Sequence, residues 1–399
     1  MRTKWQTHFH FVKIMTKQFI YRNIYDEILR LKTHFPVVII TGPRQSGKTT
    51  LCKTMFCDYH YVDMMQASDR QIIEISPKDF LKQYSTGLII DEAQNFPELF
   101  PYIKIVSDEL PDSNFILTGS NNFSLMEKVT ESLVGRAATL ALLPLSLSEI
   151  GNYGNDLSTD SLLFNGGYPA IWANQIPAID LSRQYYNLYI ERDVRQLINL
   201  KDLSKFQVFI KLCAGRIGTE FNSQSLSNEI GVSHHTINNW LSVLEASYLV
   251  FRLQPFYQNI GKRLVKSPKI YFYDTAVVCY LLGIESSGQL KTFPLRGAIF
   301  ENYVILEFLK KRYNSGKSNN LFFYKDKTQR EIDIIQQFGS QYCAYEIKSA
   351  TTFHSEFIRN LNYLKKILGE SLIKRQVIYD GETQLDTFEN GIINFRHIN

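Results

Sequence analysis

From Phe35 to Asn121, short apolar runs (PVVII, YHYVDM, GLIIDE and SNFILTGS) alternate with stretches of helical spacing. Strands that are apolar on both faces and separated by helices predict a parallel sheet covered on either side. Residues 125–150 continue as a helical stretch and the run LALLPLSLSEI, which offers one more strand. From about Asn165 to Ile284 helical periodicity dominates, and from Leu295 a helix leads into hairpin-like strands and another helix. No internal repeat or low-complexity segment interrupts the pattern. The expected units are an α/β domain at 15–150 with a parallel sheet between helices, an α-rich domain at 151–285, and a C-terminal α/β domain at 286–399. Met15 offers an alternative start, with residues 1–14 either an artefact of the first Met or a flexible arm.

A length of 399 residues suits such a division, since domains average about 150 residues. With 44% apolar and 21% charged residues, the chain is neither a disordered tail nor a small stapled scaffold. Lys and Arg exceed Asp and Glu by 44 to 39, an excess that permits contact with nucleic acid without demanding it. The cysteines at 52, 57, 213, 279 and 343 show no Cys-x-x-Cys or Cys/His spacing, so neither a disulfide framework nor a zinc site is expected, and a reducing cytoplasm fits. The uncharged run Ser161–Ile179 has the length of a membrane span, but Gly166, Gly167, Pro169 and Pro177 mark it as a loop-rich soluble segment. The N-terminal MRTKWQTHFHFVK lacks the apolar core of a secretory signal. No membrane association is expected.

Chemistry is most legible at Gly42-Pro43-Arg44-Gln45-Ser46-Gly47-Lys48-Thr49-Thr50, which matches G-x-x-x-x-G-K-[ST] between an apolar strand and a helical stretch. In a P-loop the glycines turn successive backbone N–H groups toward phosphate oxygens, and the following helix adds its positive end. Lys48 then meets the β and γ phosphates of ATP, and Thr49 holds Mg²⁺. About forty residues later, Leu88-Ile-Ile-Asp91-Glu92 delivers two carboxylates at a strand end. Asp91 suits Mg²⁺ binding and Glu92 suits polarisation of the attacking water. A third strand ends in Thr118, Ser120 and Asn121, either sensors of the γ-phosphate or a plain turn. Arg136 in ESLVGR is either an arginine finger acting on a neighbouring subunit, which requires a homo-oligomer, or half of a surface salt bridge.

Together with ESLVGRAATLALLPLSLSEI, GGYPA, ERDVRQL, KSPKIYFYDTAV, FENYVILEFL and REIDII with YEIKSA, these motifs resemble a large family of prokaryotic AAA-type P-loop ATPases. That family joins its ATPase domain to a winged-helix region and the domain of unknown function 4143. The resemblance spans nearly the whole chain after Met15. It implies ATP binding and hydrolysis, with Lys48, Thr49, Asp91 and Glu92 in the roles given above, and supplies no physiological substrate.

In the middle unit, Ser225 to Ser233 and the following HHTINNWL read as helix, glycine turn and capped helix, the layout of a helix-turn-helix. Ile237, Leu241 and Leu244 share the inner face, leaving His235, Asn238, Asn239 and Ser242 outward. That outer face carries no Arg or Lys. The cations come later, at Lys262, Arg263, Lys266 and Lys269, and form a basic wing for DNA unless the module serves only packing.

Glu331-Ile-Asp333-Ile-Ile followed by Tyr342-Cys-Ala-Tyr-Glu346-Ile-Lys348 resembles the D…ExK core of restriction-endonuclease-like folds, with Ile332 in place of the proline of the better-known motif. Strand alternation puts Glu346 and Lys348 on one face. Asp333 and Glu346 then bind a divalent metal, Glu301 completes the shell, and Lys348 assists hydroxide or the phosphorane charge. The plain alternative is a solvated strand face. Two functions follow: an ATPase acting on or regulated by DNA with a metal-dependent nuclease-like domain, or a nucleotide-controlled binding switch for DNA or protein that cleaves nothing.

Overall fold

The computed structural model describes residues 19–120, 132–188, 202–256, 267–326, 328–387 and 390–398. The arm at 1–14, Asn121, the ERDVRQL motif and the cations Lys262, Arg263 and Lys266 lie outside the described residues.

Val37–Thr41 (β1), His60–Asp63 (β2), Leu88–Asp91 (β3), Phe115–Gly119 (β4) and Ala137–Ala141 (β5) form a wholly parallel sheet in the order β2-β3-β4-β1-β5. Its central strands β1, β3 and β4 are buried along their whole length because both faces are covered, while the edge strands β2 and β5 are partly exposed. Val37, Ile39, Leu88 and Ile90 pack on one side with Ile73, Phe100 and Ile103. Val38, Ile40 and Ile89 pack on the other with Ile28, Leu51 and Cys52. The alternation is the two-residue period of a strand. The order places β4 between the P-loop strand β1 and the acidic strand β3, within reach of both.

The middle unit contains the helices Leu203–Gly215, Ser223–Ile230 and His234–Ala246. Side chains of Asp202, Asn222 and Ser233 cap them by accepting from the N–H of Lys205, Ser225 and Thr236, at 3.0, 3.0 and 3.1 Å. Gly231 ends the second helix at φ +73°, a left-handed conformation open to glycine without a Cβ penalty. Ile237, Trp240, Leu241 and Leu244 are buried, while His235, Asn238, Asn239 and Ser242 are exposed, as the helical spacing predicts.

The antiparallel pair Val250–Pro255 (β6) and Lys269–Phe272 (β7) follows. It does not stop at its own domain. The strands Leu321–Lys325 (β8), Glu331–Phe338 (β9), Gln341–Lys348 (β10), Leu372–Tyr379 (β11), Leu385–Asp386 (β12) and Asn390–Asn394 (β13) form with it one sheet, ordered β12-β13-β11-β10-β9-β8-β6-β7. The junction is the parallel pairing of Gln254 and Pro255 with Phe322 and Phe323. One apolar core accordingly takes in Ile20 and residues from Leu143 to Phe395, crossing the sequence boundaries at 150 and 285.

Polar ties join the P-loop domain to this body. Buried Arg22 donates to Ser46 O at 2.7 Å, Leu143 O at 2.6 Å and Glu149 Oε1 at 3.0 Å. Lys310 donates to Leu145 O at 2.8 Å, and Glu307 accepts from Leu147 N at 2.7 Å. Among the described residues, no helix is long and apolar enough to cross a membrane.

Candidate functional site

The P-loop leaves β1 at Gly42, whose φ is +141°, and a Cβ there would meet Leu142 O at 2.2 Å. Only glycine fits. The loop enters the helix Lys48–Met55 through Gly47 at φ +93°, so the first N–H groups of that helix point into the loop. Lys48 is 5% exposed, and its ammonium donates to the carbonyls of Gly42 at 2.9 Å and Pro43 at 2.8 Å. Burial pulls it from the ordinary 10.5 down to about 8, with Glu92 and Asp91 offsetting only part of the desolvation. Ser46 Oγ is buried without a partner. A helix N-terminus behind a glycine turn, an orphaned hydroxyl and a lysine whose hydrogen bonds go to neutral carbonyls fit a phosphate group.

The carboxylates meet this loop at the sheet's carboxyl edge. Thr49 donates to Asp91 Oδ2 at 2.7 Å, Tyr61 donates to the same oxygen at 2.8 Å, and Thr118 donates to Asp91 Oδ1. Thr118 Oγ1 also accepts from Glu92 N at 3.3 Å, and Ser120 donates to Glu92 Oε2 at 3.1 Å. Glu92 itself stands at φ +51°, a costly conformation for a non-glycine residue, held here by its neighbours. Thr118 therefore touches both acids and Ser120 touches Glu92, an outcome of the central position of β4. Thr49 and Asp91 form the oxygen pair that would hold Mg²⁺. Tyr61 went unnoticed in the sequence because YHYVDM reads simply as a strand.

Arg136 does not reach the P-loop of its own chain. It lies at the opposite end of the sheet, where its carbonyl accepts from Val37 N at 3.2 Å, about 16 Å from the loop across the five residues of β1. Its guanidinium is held in a bidentate pair by Asp108, with Nη2 at 2.9 Å.

The C-terminal motif converges at one end of β9 and β10. Asp333 Oδ2 accepts from Ile347 N at 2.6 Å, and Lys348 Nζ lies 2.9 Å from Glu346 Oε1 and 3.8 Å from Asp333 Oδ2. Glu301, from the helix Arg296–Asn314, accepts from Tyr271 and from Lys269 at 3.2 Å. Lys269 also pairs with Glu331. Placing Lys269 on an exposed basic wing is thereby corrected: it is 2% exposed, because it opens β7 facing these carboxylates. Burial and the Asp333 charge raise Glu346 to about 8 and Glu301 to about 7. Among the described residues no group of three or more His, Cys, Asp or Glu side chains is placed to hold a metal ion; Asp333, Glu346 and Glu301, the expected set, stand instead with Lys348 and Lys269 against them.

With these geometries in hand, three family models account for most of the chain. Residues 34–151 match an AAA domain, 157–288 a domain of unknown function (DUF8612), and 296–398 a domain of unknown function (DUF4143). The P-loop and both strand-end acids lie within the AAA match. An uncharacterized protein of Mycobacterium tuberculosis is 28% identical over 358 residues, covering 87% of this chain and 77% of the relative. An uncharacterized protein of Haemophilus influenzae is 22% identical over 413 residues, covering 92% and 97%. Among solved structures, a Walker-type ATPase of Pyrococcus abyssi covers 66% of this chain and 96% of its own, at 13% identity and a TM-score of 0.47. The AAA domain ends just beyond Glu149, whose capping box with Ser146 is the anchor that Arg22 grips.

Proposed function

We propose that the chain hydrolyses ATP at its AAA domain and uses the nucleotide state to control a binding surface. The carrying observation is the continuous network from Thr49 through Asp91 and Thr118 to the backbone N–H of Glu92, with Ser120 on the Glu92 carboxylate. In this reading the phosphates sit against the helix N-terminus, and Lys48 exchanges its two carbonyl partners for phosphate oxygens. Thr49 and Asp91 hold Mg²⁺, which when bound neutralises charge developing on the phosphoryl oxygens. Glu92 accepts a proton from, or orients, the attacking water, and Thr118 and Ser120 register whether the γ-phosphate is present. Lys48→Ala should lose nucleotide affinity. Glu92→Gln should bind ATP and hydrolyse it slowly, and a parental rate in Glu92→Gln would remove that residue from the mechanism.

The switch is favoured over cleavage by a contact at the base of the P-loop. Thr41, the last residue of β1, shares a buried 2.8 Å hydrogen bond with the hydroxyl of Tyr248. Tyr248 links the helix His234–Ala246 to β6 and is held at φ +55°, so movement of the loop acts on the helix-turn-helix through one strained residue. DNA is the proposed partner, with His235, Asn238, Asn239 and Ser242 facing base edges and Lys262, Arg263 and Lys266 facing phosphates. Replacing those three cations by Ala should weaken binding to all sequences alike and reduce the slope of log affinity against log salt by about three. Unchanged affinity and slope would exclude DNA contact through this segment.

A further inference from the structure

A D…ExK constellation that cuts phosphodiesters needs a divalent ion among its carboxylates, yet the groups here are already engaged. Lys269 lies against Glu301 at 3.2 Å and pairs with Glu331, and Tyr271 donates to Glu301. Lys348 lies against Glu346 and Asp333, and the Ile347 N–H takes Asp333 Oδ2. One carboxylate oxygen, Glu346 Oε2, stays buried without a partner. Two ammonium groups thus supply the two positive charges a divalent ion would bring. The Lys269 ammonium also lies over the Phe323 ring, 5.5 Å from its centroid.

We propose that the ammonium of Lys269 is the resident cation of this cluster and keeps divalent metal out of it. The cluster is then an ion-pair joint, binding β7 of the hairpin to the helix Arg296–Asn314 and to β9. Lys325 of β8 extends it, 2.9 Å from Glu220 and 3.5 Å from Glu331. A metal entering among these groups would strand a buried ammonium away from water, an unfavourable exchange. The carboxylates hold the Lys269 charge well above the ordinary lysine range in spite of its burial, consistent with a permanent cation.

The test is Mn²⁺ binding to the full chain without nucleotide, followed by electron paramagnetic resonance of the free ion. Asp91→Asn in every sample removes the carboxylate expected to hold metal at the P-loop, so the result does not depend on ATP hydrolysis. Asp91→Asn and Asp91→Asn with Glu346→Gln should give superimposable isotherms. Adding Lys269→Met, which keeps an apolar stem against Phe323, should create one Mn²⁺ site per chain that Glu346→Gln abolishes. A site present with Lys269 intact and lost with Glu346→Gln would overturn the proposal, as would a folded Lys269→Met chain that gains none. The first comparison requires no change at Lys269 and overturns the proposal by itself if it shows a Glu346-dependent site.

Discussion

Lys48 and Lys269 are both buried ammonium groups, at 5% and 2% exposure, and each stands near strand-end carboxylates. Their partners differ. Lys48 is held by two backbone carbonyls, and burial lowers its proton affinity. Lys269 is held by Glu301 and Glu331, and its proton affinity is raised. A phosphate can therefore offer Lys48 a better partner than it has, while no ligand improves on the carboxylates around Lys269. Burial alone does not separate a binding site from a structural joint. The charge of the groups already in contact does.

The largest test of that contrast is thermodynamic. Lys269→Ala leaves the Glu301 carboxylate without its counter-ion, and Glu331 with Lys325 alone, and should cost about 3–5 kcal/mol, whereas Lys48→Ala should leave the melting temperature unchanged or raise it. Equal losses by calorimetry would erase the distinction. Next, Glu92→Gln should lower kcat on the order of a hundredfold, while Glu346→Gln, an acid of the joint, should leave ATPase activity unchanged.

The pH responses should also be opposed. The free P-loop needs Lys48 charged to meet phosphate, and its ammonium loses the proton near pH 8. ATP affinity should fall as pH rises above 8, by up to about tenfold per unit, and binding there should take up a proton, measurable by calorimetry in buffers of different ionisation enthalpy. In the joint, the Glu346 carboxyl is raised from 4.5 to about 8, so the folded chain keeps a proton that the unfolded chain releases. The sign follows: this contribution is present below pH 4.5 and lost as pH rises to 8. Glu346→Gln should flatten the fall in melting temperature across that window.

The smallest expected effect is at Arg136. With its guanidinium paired to Asp108 on the surface, Arg136→Ala should alter the ATPase rate by no more than about twofold. A loss on the order of a thousandfold, together with a parental rate that rises with protein concentration, would establish a finger acting between subunits.

The amino-acid sequence determined by itself what depends on neighbours along the chain. The apolar runs around Val38, Ile89 and Ile116 required a doubly covered parallel sheet, Gly42 and Gly47 marked a turn that only glycine can make, and the spacing of Ile237, Leu241 and Leu244 set the inner face of a helix. These are local or periodic properties, written in a few consecutive residues. Which strands lie side by side is not local: the insertion of β4 between β1 and β3, which brings Thr118 onto Asp91 and Glu92, depends on how distant segments share the sheet. The same holds for Tyr248 on Thr41, Arg22 on Ser46 and Lys269 on Glu301, separated by 207, 24 and 32 positions. Lys269 carries the clearest lesson, since its place in a run of cations suggested solvent and DNA. Only the tertiary structure decided that it turns inward, because carboxylates from a helix and a strand converge where β7 begins, and a charge is buried at tolerable cost only where opposite charges already wait.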